Sequence, residues 1–535
     1  MRTNELSGRR WFGQGAGLFC WLLFAAIVLV GSANAALATT GAADGERVGP
    51  AHQRLNIVFI LADDLGYGEL GCYGQEKIRT PHLDELAREG VRLTQHYAGA
   101  PTCAASRCVL LTGQNLAHAE IRGNRDSGNG RPFPGQWPLS ASTVTFPAVL
   151  REAGYATGGF GKWGLGPTDS SGSPLRQGFE HFFGYNCQRN AHSYYPPFLD
   201  DDAGTRELNA SPIPGHRKQP QGDVVDAEYR GSQYAPDVIM TEALQFIDRQ
   251  STERPFFLYL PFVEPHVAMH PPQAWLEQYP LEWDAESGAY RGENGYLPHS
   301  RPRAAYAAMI THLDEHVGQI VAALKQRGLY DRTLIVFTSD NGPTHEGNDP
   351  RFSIGGAGCR FFNSTGGLRG AKGSCLEGGL RVPCLVRWPG VTNPGTASNC
   401  LSYFPDWFPT LCRAAGVQLR PELALDGVDL SVALAGGGEP KRSSPLFWDF
   451  VEYGGTVAAR EGKWKAIRRD VNKPQPLAWE LYDIEADRAE AHDLAATHPE
   501  IVQRLEAALL KTRTVEPDFP NKLYDPLTPA VSAEH

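Results

Sequence analysis

The chain has 535 residues, 41% hydrophobic and 21% charged, the balance of a folded enzyme-sized protein and not of a disordered or fibrous one. Its formal charge of −10 leaves no basic face to track phosphates, which excludes nucleic acid as a partner. Glycine and proline, at 58 and 40 residues, place long irregular loops between the elements, where sites are usually built.

Residues 1–35 read as an export signal. Arg2, Arg9 and Arg10 precede the apolar run Leu18–Val30, and Ala33-Asn34-Ala35 offers cleavage after Ala35. The run is shorter than the roughly 20 residues a membrane helix needs, so no stable span is expected and the mature chain belongs in the periplasm or outside the cell. Arg9-Arg10-Trp11-Phe12 resembles a twin-arginine signal only loosely. Loss of this segment removes three Arg and one Glu, leaving −12, and takes one of the ten cysteines. The remaining odd number, without CxxC pairs, points away from zinc and toward a separate task for one thiol.

Asn56–Leu61 is a buried strand that ends in Asp63-Asp64. Thr80-Pro81 opens a helix stopped by Gly90, followed by a strand near Val91–Tyr97. The alternation repeats as helix Thr145–Glu152 with strand Tyr155–Phe160, helix Pro236–Arg249 with strand Phe256–Leu260, and a long helix through Tyr306, Leu313, Val317 and Leu324 leading to strand Thr333–Thr338. Such order predicts an α/β fold, a mostly parallel sheet sandwiched by helices. After Gly436-Gly437-Gly438, short aromatic strands at 446–448, 463–465 and 480–482 and a helix Pro499–Leu510 read as a smaller C-terminal α+β subdomain, giving divisions at 1–35, 36–440 and 441–535.

Three strands end in reactive polar residues: Asp63-Asp64, Glu264-Pro265-His266 and Asp340-Asn341. Parallel sheets gather their sites at such ends. Asp63, Asp64, Asp340 and Asn341 offer only oxygen ligands, which suit Ca²⁺ or Mg²⁺. Cys103 enters a helix, Ala104–Thr112, whose N–H groups and dipole favour a thiolate, with Arg107 one turn on. The Gly-rich loops 161–166 and 368–373 carry Lys162 and Lys372, fixed cations for an anionic substrate group.

With these segments in order (NIVFILADD, CAASR, GYATGGFGKWGLG, the His266 segment, TSDNG and LRGAKGSCLEGGLRVP), the chain resembles the formylglycine-dependent type I sulfatases, arylsulfatase and N-acetylgalactosamine-sulfatase-like, of the alkaline phosphatase superfamily. The resemblance implies hydrolysis of sulfate monoesters and conversion of Cys103 to 3-oxoalanine (formylglycine) by a formylglycine-generating enzyme. It also implies Ca²⁺, in preference to Mg²⁺, on Asp63, Asp64, Asp340, Asn341 and the modified Cys103. Arg107, Lys162, His266 and Lys372 then hold or protonate the ester. An aldehyde hydrate has a second hydroxyl that can expel sulfate, which serine lacks.

Two positions depart from the family. Ala105 stands where proline is preferred after the cysteine, and Gly164 stands where the GKWHLG form has a histidine that helps release sulfate. His118 and His345 are the positional candidates to replace it. Arg122, His192, Tyr194 and Tyr195 lie in polar, aromatic loops suited to a sugar, so the expected substrate is a sulfated saccharide, with an aryl sulfate as surrogate. The alternatives are an inactive binder of sulfated glycans and a phosphoesterase of the same superfamily, which would use a Ser or Thr nucleophile.

Overall fold

All seven residues of the apolar run at 56–62 are buried, as a strand covered on both faces requires. The computed structural model describes residues 54–125, 136–344 and 354–525; the expected export signal and His345 lie outside them. In chain order the strands are β1 (Asn56–Ala62), β2 (Val91–Leu93), β3 (His96–Tyr97), β4 (Ala156–Lys162), β5 (His181–Tyr185), β6 (Phe198–Asp201), β7 (Gly204–Glu207), β8 (Phe256–Pro261), β9 (Thr333–Ser339), β10 (Cys384–Arg387), β11 (Thr396–Ser398), β12 (Ser402–Tyr403), β13 (Leu446–Phe450), β14 (Thr456–Glu461), β15 (Trp464–Arg469) and β16 (Trp479–Asp483).

Ten of them form one sheet in the order β11-β2-β10-β9-β1-β8-β4-β5-β6-β7. Its centre, from β9 to β5, is parallel. β10 runs against β9 and β2, and β6 and β7 add an antiparallel hairpin at one edge. Alternate residues of β1 serve two cores. Ile57, Phe59 and Leu61 pack with the Cys103–Thr112 helix, Phe146 and Trp407, while Val58 and Ile60 pack with the helices Ala235–Asp248 and Pro302–Gln326. The α/β sandwich is as expected. No helix among the described residues is long and apolar enough to cross a membrane.

The expected continuous strand at 91–97 is instead broken between β2 and β3. At the break the Thr94 carbonyl accepts Tyr67 Oη and Arg381 Nε in place of a neighbouring strand, and β3 pairs with β12 in a separate small sheet. The C-terminal strands β13 to β16 form an antiparallel meander covered by Val502, Leu505 and Leu509 of the Pro499–Thr512 helix. The strands on both sides of residue 440 lie in one compact unit.

Asp449, fully buried on β13, fastens that meander to the loop after the Cys103 helix. It accepts Arg122 Nη1 (3.1 Å), Arg513 Nη2 (3.0 Å) and Asn521 Nδ2 (2.7 Å). Arg122 directs its other nitrogens to the carbonyls of Ala119 and Ala117 and to Thr514 Oγ1, and it is fully buried, so this guanidinium is a rivet that a sugar does not reach. His118 is also a clamp: Nδ1 contacts Asp426 at 2.8 Å and Nε2 lies 2.6 Å from the Thr512 carbonyl. A ring held by two acceptors at opposite nitrogens is not free to attend Cys103.

The Asp426 hydrogen bond, opposed by burial, raises the His118 pKa above its ordinary value. The stabilisation is therefore complete below about pH 6.5 and is lost as pH rises through the raised value. His118→Gln is expected to cost about 1 kcal/mol at about pH 5.5 and little at about pH 9. Thermal unfolding at both pH values checks this, and equal losses would deny the contact an ionic part.

Candidate active site

The parallel ladder continues past the strand ends. The Asp63 N–H donates to the Glu264 carbonyl and the Asp340 N–H to the Ala62 carbonyl, both at 3.0 Å, which sets the polar ends of β1, β8 and β9 side by side. Asp64 adopts a left-handed conformation (φ 65°), and its N–H reaches Asp340 Oδ1 at 3.2 Å. Asp63, Asp64, Asp340 and Asn341 are all fully buried.

Cys103 is the first residue of the Cys103–Thr112 helix, where Asn124 Oδ1 accepts the Ala104 N–H at 2.9 Å. Its Sγ lies 3.4 Å from Asp63 Oδ1 and 3.6 Å from Lys372 Nζ. Lys162, at the end of β4, places Nζ 2.5 Å from Asp63 Oδ2, and Lys372 contacts Asp64 Oδ2 at 2.8 Å. Arg107 donates from Nε and Nη2 to Asp340 Oδ2 (3.1 and 2.8 Å) and from Nη1 to the Lys162 carbonyl (2.5 Å). His266 Nε2 stands 3.6 Å from Asp64 Oδ2, with Nδ1 on the Val267 carbonyl.

Charge compensation governs protonation here. Burial pushes Asp63 up, but Lys162, His266, Arg107 and Lys372 together hold it far below the carboxylate range. Asp64 is lowered in the same way, with Lys372 as the strongest opponent of its burial. Asp340 is raised to about 6 by burial and by the neighbouring Asp63, despite Arg107. Burial and Asp63 also push the Cys103 thiol far up, so the unmodified sulfur is a poor nucleophile. His266 is lowered to about 4, by burial and then by Lys372.

The oxygen donors fit a hard divalent cation. Asn341 Nδ2 is committed to Asp64 Oδ1 at 2.8 Å, while its buried Oδ1 has no hydrogen-bond partner among the described residues. Three crowded carboxylates beside a spare amide oxygen form a donor set for Ca²⁺.

Beside this cluster, Gly164 has φ 83°, and a Cβ there would lie 2.6 Å from Gln188 Nε2. The Gln188 carboxamide thus occupies the space a side chain at 164 would need. His192 stacks on His266, with centroids 5.0 Å apart and planes 10° apart, and its Nδ1 lies 2.7 Å from His216 Nε2. Tyr296 stands edge-on to His192 at 5.3 Å. Of the four expected substrate residues, His192 alone meets the cluster. Tyr194 Oη faces the carbonyls of Val263 and His266 (2.9 and 2.6 Å) and supports the His266 backbone, and Tyr195 packs against Tyr234.

The sequence reading missed Thr344, whose Oγ1 donates to Asp64 Oδ2 at 3.0 Å, along with Gln188, Tyr296 and Tyr453. Tyr453 is 62% exposed and reaches within 3.4 Å of the Cβ direction at Gly373, next to Lys372. Position in the loop that carries Asp340 was the available signal for Thr344, and proximity to His192 was the one for Gln188; Tyr296 and Tyr453 come from segments far off in the chain.

A sulfatase family model matches residues 55–417, and a second, the C-terminal part of N-sulphoglucosamine sulphohydrolase, matches residues 372–515. Human arylsulfatase A is 33% identical over 500 residues, covering 86% of this chain and 88% of that protein. Mouse steryl-sulfatase is 33% identical over 481 residues, covering 80% and 72%. Among solved structures, Ps i-CgsB superposes with a TM-score of 0.68 at 26% identity over 88% of this chain and 94% of that one. The same protein has been solved with a k-i-k-neocarrahexaose bound, and there the match is 25% identical, with a TM-score of 0.68 over 88% and 94%. With ordered motifs, an alkaline-phosphatase-like sheet and a matching family model over most of its length, the chain belongs to the sulfatase family and is a sulfuric ester hydrolase.

Proposed function

We propose that this enzyme, after export, hydrolyses sulfate monoesters of a saccharide, using formylglycine made from Cys103 and Ca²⁺ held by Asp63, Asp64, Asp340 and Asn341. The observation that carries the reading is Cys103 itself: a helix-entry thiol set between Asp63 and Lys372, amid three carboxylates and three cations. Its sulfur is deactivated where it stands, whereas formylglycine supplies a hydrated aldehyde, one hydroxyl to take sulfur and a second to expel it. Ca²⁺ supplies positive charge to the developing oxyanions. Because the thiol is about 1% exposed, the formylglycine-generating enzyme has to reach it before the fold closes.

The chain's own residues divide the remaining work. Lys162 and Lys372 present ammonium groups at the cysteine, where a monoester's sulfonyl oxygens accept charge. Arg107, held by Asp340 and the Lys162 carbonyl, is a positioning residue. His266 is neutral in the free site; the negative charge of a bound ester offsets the positive charge of Lys372 and favours the imidazolium, which gives its proton to the departing oxygen as the S–O bond breaks. His192 takes the place of the histidine absent at Gly164. Burial, His266 and Lys162 hold it well below its ordinary pKa, so it is a neutral base beside the cluster. His192, His216 and Tyr296 form an aromatic wall next to His266, and such a wall suits a sugar ring. The oligosaccharide carried by Ps i-CgsB supports a glycan substrate.

Peptide mass spectrometry of the chain produced with the modifying enzyme is expected to show the aldehyde at residue 103, and Cys103→Ala to abolish sulfate release from 4-nitrocatechol sulfate. An intact thiol in a fully active preparation would overturn the formylglycine reading. His266→Ala is expected to slow sugar-sulfate hydrolysis roughly 10²–10⁴-fold and aryl-sulfate hydrolysis much less, since a phenol leaves without a proton. Equal losses on both substrates would remove the acid role. His192→Gln is expected to preserve the first equivalent of phenol released and to slow the steady state that follows; a uniform loss of both phases would reassign it to binding.

A further inference from the structure

On the far side of Glu264 from the catalytic carboxylates lies a second cluster that sulfate chemistry does not use. His312 and His316 are four residues apart on the Pro302–Gln326 helix and so share a face, with ring centroids 4.2 Å apart. Both rings are buried. Asp237, in the first turn of the Ala235–Asp248 helix, directs Oδ1 at both, 2.8 Å from His312 Nε2 and 3.3 Å from His316 Nε2. The three donor atoms lie within 4.8 Å of one another. Tetrahedral zinc, with bonds of about 2.0–2.1 Å, sets its ligand atoms roughly 3.3 Å apart, so small adjustments would admit an ion. Ring orientation is fixed by packing: Phe262 stacks on His316 at 5.7 Å and Trp275 meets His312 edge-on at 5.2 Å.

Two further observations point to a ligand. His312 Nδ1 lies 3.1 Å from Glu264 Oε1, the carboxylate–imidazole pairing that orients metal-bound histidines. Glu264 is fully buried, and its Oε2, like His316 Nδ1, has no hydrogen-bond partner among the described residues. Without an ion, Asp237 and Glu264 favour a proton on His312 against its burial; a dication would displace that proton and balance the two carboxylates with both rings neutral. Asp237 is half exposed, which gives the ion an entry path.

We propose that Asp237, His312 and His316 bind a borderline transition-metal ion, Zn²⁺ being the one to test, with Glu264 as the outer carboxylate. Nitrogen donors separate this site from the oxygen-only catalytic set, which selects Ca²⁺. The bound ion ties the two helices together. Through the Glu264 carbonyl, which accepts the Asp63 N–H at 3.0 Å, it also steadies the floor of the catalytic cluster.

The test uses the untagged mature chain in millimolar Ca²⁺, which keeps the catalytic oxygens filled. After equilibration with Zn²⁺ and gel filtration, elemental analysis is expected to find about one Zn²⁺ per wild-type chain, and Co²⁺ substitution to give the visible absorption of a tetrahedral, imidazole-bound ion. Asp237→Asn changes a half-exposed residue and His316→Gln keeps a polar side chain; each is expected to weaken Zn²⁺ at least roughly tenfold and to remove the rise in Tm that Zn²⁺ gives the wild type. The proposal is overturned if the wild type retains no Zn²⁺, or if both variants, shown to be folded by circular dichroism, retain as much as the wild type.

Discussion

Parallel pairing of β1 with β9 forces the side chains beyond their ends together, and in this chain those side chains are Asp63, Asp64 and Asp340. Buried carboxylates at such spacing repel one another and lose their water, a cost of several kcal/mol unless countercharge is delivered. Arg107 brings it from a helix, Lys162 from the end of β4, and Lys372 from the loop at 368–373. Each cation therefore also fixes its own element against the sheet. The cations proposed to meet an anionic ester are the same ones that make the strand ends tolerable, so removal of any one of them would leave a buried carboxylate uncompensated.

Much of this was legible from the chain alone, because strand-end chemistry is local. An apolar run followed by Asp-Asp or Asp-Asn names both the element and its cargo, as at β1 and β9, while β4 and β8 were found by their alternation with helices. The hairpin β6–β7 and the strand β10 were not: Phe198–Asp201 alternates weakly, and Cys384–Arg387 is preceded by a glycine-rich loop whose composition hides it. Site assignments failed for a related reason. Arg122 looked like a loop arginine open to a sugar, but its partner Asp449 is 327 residues away and invisible to any local pattern. His192 was singled out by its aromatic neighbourhood, while its stacking on His266 required the fold.

The C-terminal meander also borders the active site. Glu452 accepts from Thr102 Oγ1 at 3.4 Å beside the cysteine, and the Tyr453 ring lies against Gly373, the residue after Lys372. Lys465 on β15 bridges Glu377 and Glu490 at 2.9 Å each, all buried, which locks the short helix Glu377–Leu380 just past the Lys372 loop to this second sheet. The meander consequently touches the loops that carry Cys103 and Lys372 without contributing to the charged centre.

The sequence distances in that closure set a clock. Lys372 lies 269 residues after Cys103, and Glu452 lies 350 after Thr102. A ribosome adding about 5–20 residues per second needs roughly 10–60 s to make the first of these spans. Throughout that interval Cys103 has been synthesised while the groups that bury it have not. The long detour between Cys103 and its enclosure keeps this thiol unburied until late in synthesis.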